Sequence, residues 1–218
     1  MGTAKFWGVS FLVAAALLVV TRGFFTNEYF FFAGYVVLQY IVLSTAWNIL
    51  GGYTGYTNFG VGAFFAVGAY SSVVLHKLTS LPVPVMILVG GLMSGILGFG
   101  MGYLTLRLKL ISTTLSGALM GMSGAPLPYY VTYLDPTSSF NLSYAVNSVA
   151  MPLIGGMSSW PGPVIGAVLL GTIQQLATVT ISSALNLLIV GLLLITFVII
   201  APNGILGLIQ ARRRARLR

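Results

Sequence analysis

YFFFAGYVVLQYIVLSTAWNILGGYTGYTNFGVGAFFAVGAYSSVVL, residues Tyr29 to Leu75, contains no Asp, Glu, Lys or Arg. A helix crosses about 30 Å of hydrocarbon in about 20 residues. The stretch is therefore too long for one crossing and must reverse within itself. Its centre, Gly51, Gly52, Tyr53, Thr54, Gly55, Tyr56, Thr57, Asn58, Phe59, Gly60, Val61, Gly62, holds glycines at the density that interrupts a helix. The reading is helix, break, helix, all in lipid.

The rest of the chain repeats this pattern. Of 218 residues, 57% are hydrophobic and 6% charged, against about 25% charged in soluble domains. The polar surface is too small to coat a globule in water, which excludes a soluble enzyme. Charge-free runs also cover Leu78 to Leu106, Leu110 to Leu134 and Pro136 to Ala211. Split at glycine and proline, the sequence predicts an all-α polytopic membrane protein with about eight segments and two glycine-rich breaks. The segments are Phe6 to Thr21, Phe30 to Leu50, Val61 to Leu75, Val85 to Leu106, Thr113 to Val131, Phe140 to Ile154, Val164 to Thr180 and Ser183 to Ala201. Val61 to Leu75, Phe140 to Ile154 and Thr113 to Val131, which contains Pro126 and Pro128, are expected to be short for a crossing. Lys5 followed by an apolar run is read as a membrane anchor, with a signal peptide as the alternative.

Net charge is +8, and Arg212, Arg213, Arg214, Arg216 and Arg218 form a basic tail. The tail suits anionic headgroups rather than nucleic acid. Basic residues favour the cytoplasmic side. Eight crossings place Lys5, Arg107, Lys109 and the tail inside, with Arg22 and Lys77 outside. Both termini are then cytoplasmic, and the acids Glu28 and Asp135 fall in outside loops. The expected organisation is one transmembrane domain over 1–218, with an N-terminal half 1–110, a C-terminal half 113–211 and the cytoplasmic tail 212–218.

The second break is Gly155, Gly156, Met157, Ser158, Ser159, Trp160, Pro161, Gly162, Pro163. In this topology both breaks occupy equivalent places in two four-segment halves. Paired breaks of this kind mark solute paths in transporters, although an ordinary cytoplasmic turn has the same composition. Asn48, Thr54, Thr57, Asn58, Ser158 and Trp160 are the candidate path residues, and Gly51, Gly52, Gly55, Gly60, Gly155, Gly156 and Gly162 supply the breaks. Lined by uncharged polar groups, such a path suits a neutral or zwitterionic solute. Gly62, Gly68, Gly90, Gly91, Gly95, Gly98, Gly100 and Gly102 mostly read as sites of close helix packing.

Catalysis has no support in the sequence. There is no cysteine, and Glu28 and Asp135 have no nucleophile or metal ligand set beside them. No phosphate loop with its lysine is present. No cofactor or metal is expected. His76 beside Lys77 reads as an interfacial histidine, while Tyr129, Tyr130 and Tyr133 read as interface anchors.

Asn48, Gly51, Gly55, Gly60, Phe64, Gly68, Ala69 and Tyr70 together resemble the signature of permease subunits of branched-chain amino acid ABC importers, the LivM-like group. Gly155, Gly156, Trp160, Gly162, Pro163 and Gly166 are similar to the same family's glycine and tryptophan turn. Thr114, Leu115, Ser116, Gly117, Ala118, Gly121, Ser123, Gly124 and Ala125 resemble the helix before it, and Pro202, Gly204, Gly207 and Leu208 its closing motif. Urea-type importer permeases share much of this pattern. The resemblance implies a plasma (inner) membrane location and an assembly with a second permease subunit, two ATPase subunits and an external solute-binding protein. It also implies a departure. Between Lys109 and Thr114 the chain lacks a central segment that carries further helices and the ATPase-coupling loop in family members. A transport-inactive remnant or scaffold, and passive conduction of small polar solutes, are the competing expectations.

Overall fold

The computed structural model describes residues 28–79, 81–105, 109–131, 134–180, 186–200 and 204–208. The expected segment Phe6 to Thr21 and the arginine tail lie outside them. The chain divides into two compact units, Met1–Val36 and Val37–Arg218. In the first, the described residues are the opening turns of a helix, with the Phe32 and Tyr35 rings 6.5 Å apart.

The described residues are helical and carry no strand. Helix α1 is Glu28–Leu50, α2 Val61–Leu78, α3 Val83–Thr105 and α4 Leu110–Gly124. After a 3-10 turn at Leu127–Tyr129 come α5 (Pro136–Ser139), α6 (Leu142–Gly155), α7 (Gly162–Thr180) and α8 (Asn186–Ile200). Each expected segment inside the described residues falls on one of these helices. Tyr29–Leu50, Val61–Leu78 and Val83–Thr105 are long and apolar enough to cross a membrane, so the chain is a polytopic membrane protein. α4, α6 and α8, at 15, 14 and 15 residues, reach only about 22 Å at about 1.5 Å per residue.

The largest difference from expectation is at α4, which ends at Gly124, ahead of Pro126 and Pro128, instead of reaching Val131; a second lies in α2. α2 does not stop short at Leu75 but continues through His76 and Lys77 to Leu78. Positive side chains in a last turn face the negative end of the helix dipole, which favours continuing the helix through them. Elsewhere the ends follow local chemistry. α3 begins beside Pro82 and Pro84, α4 ends before Pro126, and the Asn141 side chain caps α6 by accepting from the Ser143 N–H at 2.9 Å.

Small residues let α2, α3 and α4 pack backbone to backbone. A side chain at Gly68 would run into the Gly121 backbone, and one at Gly124 into that of Phe65. Ser94 of α3 donates to the Phe64 carbonyl of α2 at 2.7 Å. Close approach of this kind replaces the hydrophobic driving force that lipid cannot supply. Gly100 is the exception among the packing glycines, since open space lies beside it. Buried Leu43, Trp47, Val61, Phe64, Phe65 and Met120 form one core cluster. Ala150, Met151, Ile154, Ala167 and Leu170 form a second between α6 and α7. Leu88, Leu92, Ile96 and Phe99 of α3 are exposed, which suits a face meeting acyl chains rather than water.

Candidate functional site

The first break is a loop held by side chains. α1 ends where the Gly51 and Gly52 N–H groups donate to the Trp47 and Asn48 carbonyls at 2.7 and 2.9 Å. Thr54 Oγ1 returns to the Leu50 carbonyl at 2.5 Å. At Gly55 the chain turns with φ +75°, a left-handed conformation that costs little only without a Cβ. Asn58 then organises the start of α2. Its Oδ1 accepts from the Gly60 N–H at 2.9 Å, and its carbonyl accepts from Trp47 Nε1 at 3.0 Å. Lys109, immediately before α4, donates to the Thr54 carbonyl and lies 4.1 Å from the Tyr56 ring centroid. Lys109 is thus engaged with backbone and an aromatic face.

The second break is held mainly by backbone, with one side-chain bond inside it, from Ser159 Oγ to the Gly156 carbonyl at 3.3 Å. Gly156 sits at φ +116° and donates to the Pro152 carbonyl at 2.7 Å. Substituents at Gly155, Gly162 and Gly166 would overlap the backbones of Gly162, Gly156 and Met151 respectively. α6 and α7 therefore cross with their main chains in contact. The short helical stretch 204–208 brings a third segment of backbone here, because Gly204, at φ +72°, lies against Gly156.

The two breaks meet. Asn48, 2% exposed, donates from Nδ2 to the Met157 carbonyl at 3.3 Å. Four residues earlier, Ser44 Oγ lies 3.2 Å from the Pro163 carbonyl. The C-terminal ends of α1 and α6 and the N-terminal end of α7 are thereby brought to one place, while α2 begins at the other end of α6, with Gly62 against the Phe140 and Asn141 backbone. Asn48 Oδ1 is buried with no partner, an acceptor left open at the junction.

Of the expected path residues, Asn48 is at the contact, Thr54 and Asn58 are partly buried in the first break, and Thr57, Ser158 and Trp160 are exposed. Tyr129 and Tyr130 are exposed in keeping with interface anchors, while Tyr133 lies outside the described residues. Among the described residues no group of His, Cys, Asp and Glu could hold a metal.

A polar chain among the helices had no place in the expected site. Gln174 Nε2 of α7 donates to Asn147 Oδ1 of α6 at 2.9 Å, and Asn147 Nδ2 lies 3.1 Å from the Tyr40 hydroxyl of α1. Both amides are buried. Interhelical hydrogen bonds of this type hold membrane helices together. Their sequence signal is an isolated amide in an apolar run, which hydropathy averages away.

Comparison with known proteins follows the same division. The sequence model of one family, described as the branched-chain amino acid transport system permease component, matches residues 29–112 and 101–198. The two matches meet where the sequence places the missing central segment. The high-affinity branched-chain amino acid transport system permease protein LivM of Escherichia coli is 31% identical over 99 residues, which is 45% of this chain and 23% of that protein. Its Salmonella typhimurium counterpart is 29% identical over the same shares. A Methanocaldococcus jannaschii protein, named as a probable branched-chain amino acid transport permease protein LivH, is 30% identical over 108 residues, 46% of this chain and 33% of the relative. This chain thus spans a third or less of the curated relatives it matches. No solved structure matches it significantly.

Proposed function

We propose, from the premise that this chain belongs to the family of branched-chain amino acid transport permease components, that it forms part of the solute path of an ABC importer for branched-chain or related amino acids. The site residues and the partners belong to this proposal. A second permease, two ATPase subunits and an external solute-binding protein complete the assembly. The chain sits in the inner membrane with both termini cytoplasmic, and the ATPases supply the energy that shifts it between inward-open and outward-open states.

The observation that carries the reading is the meeting of the two breaks at Asn48 and Met157. Helix N-termini carry partial positive charge and C-termini partial negative charge. The C-terminal ends of α1 and α6 and the N-terminal end of α7, gathered at uncharged Asn48, complement a zwitterion, whose carboxylate and ammonium need opposite poles. Urea offers no such pair of charges, so the amino acid reading is the better fit. Gly55, in a backbone conformation that a Cβ would strain, is the point about which the first break can change shape.

A second reading has its own observation. The family match arrives in two pieces that meet at the missing segment, and by resemblance that segment couples a permease to its ATPase. A chain without it inserts and binds membrane partners but transports nothing. Co-expression with candidate ATPases and a second permease, followed by purification through a tag on this chain, separates the two. Stoichiometric ATPase retention together with ATP-dependent leucine uptake in vesicles is the expected result. Loss of the ATPases from a correctly inserted chain would leave the remnant reading standing.

A further inference from the structure

Far from the breaks, the C-terminal end of α2 borders a cavity of about 570 Å³. Its walls combine the aliphatic Val73 and Leu134 with the polar side chains of Tyr70, His76, Lys77 and Tyr129. No carboxylate is among its lining residues. The aromatic part is fixed. The Tyr129 hydroxyl lies 3.0 Å from Met86 Sδ, and its ring meets the His76 imidazole edge-on with centroids 5.9 Å apart. Tyr70 differs, because its Oη is buried and has no hydrogen-bond partner. A buried hydroxyl without a partner is rare enough to need an explanation.

Lys77 and His76 stand in the last turn of α2, and both are exposed. Packing alone accounts for neither. A helix dipole favours one positive group at this end, but it does not explain a cavity that brings a cation, an imidazole and an unpaired hydroxyl together with aliphatic walls. Apolar walls with a few convergent polar groups are the ordinary makeup of a small-molecule site. Here those groups are mostly donors.

We propose that this cavity binds the carboxylate end of a small aliphatic solute, with the Lys77 ammonium and the Tyr70 hydroxyl on the oxyanion and the aliphatic walls around the chain. The proposal rests on the permease reading above for its choice of solute. A phospholipid phosphate shares the oxyanion chemistry, and the test distinguishes it.

His76 is the only histidine in the chain, so isotope-labelled histidine gives a single imidazole reporter inside the cavity. The full chain is placed in phosphatidylcholine nanodiscs and titrated with leucine and, separately, with leucinamide, which lacks the carboxylate. The expected result is a saturable shift of the His76 signal with leucine alone. Lys77→Gln should weaken it about tenfold, as loss of a charged hydrogen bond implies, and Tyr70→Phe less so. A dispersed His76 signal in each variant checks that the fold is kept. Equal shifts from both solutes, or none from either, would overturn the proposal. So would a shift that phosphatidylglycerol nanodiscs produce without solute and that leucine does not alter, since the site is then a lipid's. Uptake by the assembled importer keeps the two readings apart. Wild-type uptake that Lys77→Gln leaves unchanged rejects the cavity and retains the permease. No uptake beside an intact leucine-dependent shift does the reverse.

Discussion

The two breaks, between α1 and α2 and between α6 and α7, are built from different materials. The first is a loop whose shape is held by side chains, with Trp47, Thr54 and Asn58 bonding to nearby main chain. The second is a crossing of bare backbones at Gly155, Gly162 and Gly166. A side-chain clasp can be loosened one hydrogen bond at a time. Touching backbones have nothing to give way. Under the importer proposal, the first break is thus suited to reshaping, and the second to serving as the fixed point against which it moves.

The largest effect expected from this contrast is at Gly162. Gly162→Leu would drive a side chain into the Gly156 carbonyl and part α6 from α7. We expect a loss of about 3 kcal/mol, at the upper end for overpacking, read as a collapse of monodisperse yield and thermal midpoint in detergent. A variant as stable as wild type would dissolve the distinction between the breaks. Asn48→Ala comes next. It removes one of the two side-chain bonds described from α1 to the second break and leaves the Met157 carbonyl unpaired, for about 1–2 kcal/mol. Uptake should fall further than stability, and equal falls in both would reduce Asn48 to a packing residue. The smallest effect belongs to Gly55→Ala. Nothing lies within 4 Å of the added methyl group, so only the positive φ opposes it, at about 1 kcal/mol. A thermal shift as large as that of Gly162→Leu would mean that the first break is as tightly built as the second.

Much of this was legible in the sequence, for physical reasons that differ by residue. Helix positions followed from charge-free length, and the breaks from glycine, because both signals are local. The end of α2 was misplaced, since His76 and Lys77 look like a boundary in composition while the helix dipole accepts them. The contact of Asn48 with Met157 spans 109 residues and leaves no trace in either neighbourhood. Asn147 and Gln174 were overlooked because a lone amide hardly changes the hydropathy of its segment. The pairing of Tyr70 with Lys77 around one cavity needed Pro128 and Tyr129 to close it, and their approach to α2 is tertiary.

The short helical stretch 204–208 lies against Gly156, and this sets an order of events during synthesis. Chains emerge N-terminus first at about 5–20 residues per second. Every partner described for the first break, the last of them Met120 and Met157, has been made before Gly204 leaves the ribosome. The second break must wait for it. The flexible junction is therefore assembled first, and the rigid one is sealed only once residues 204–208 have been made.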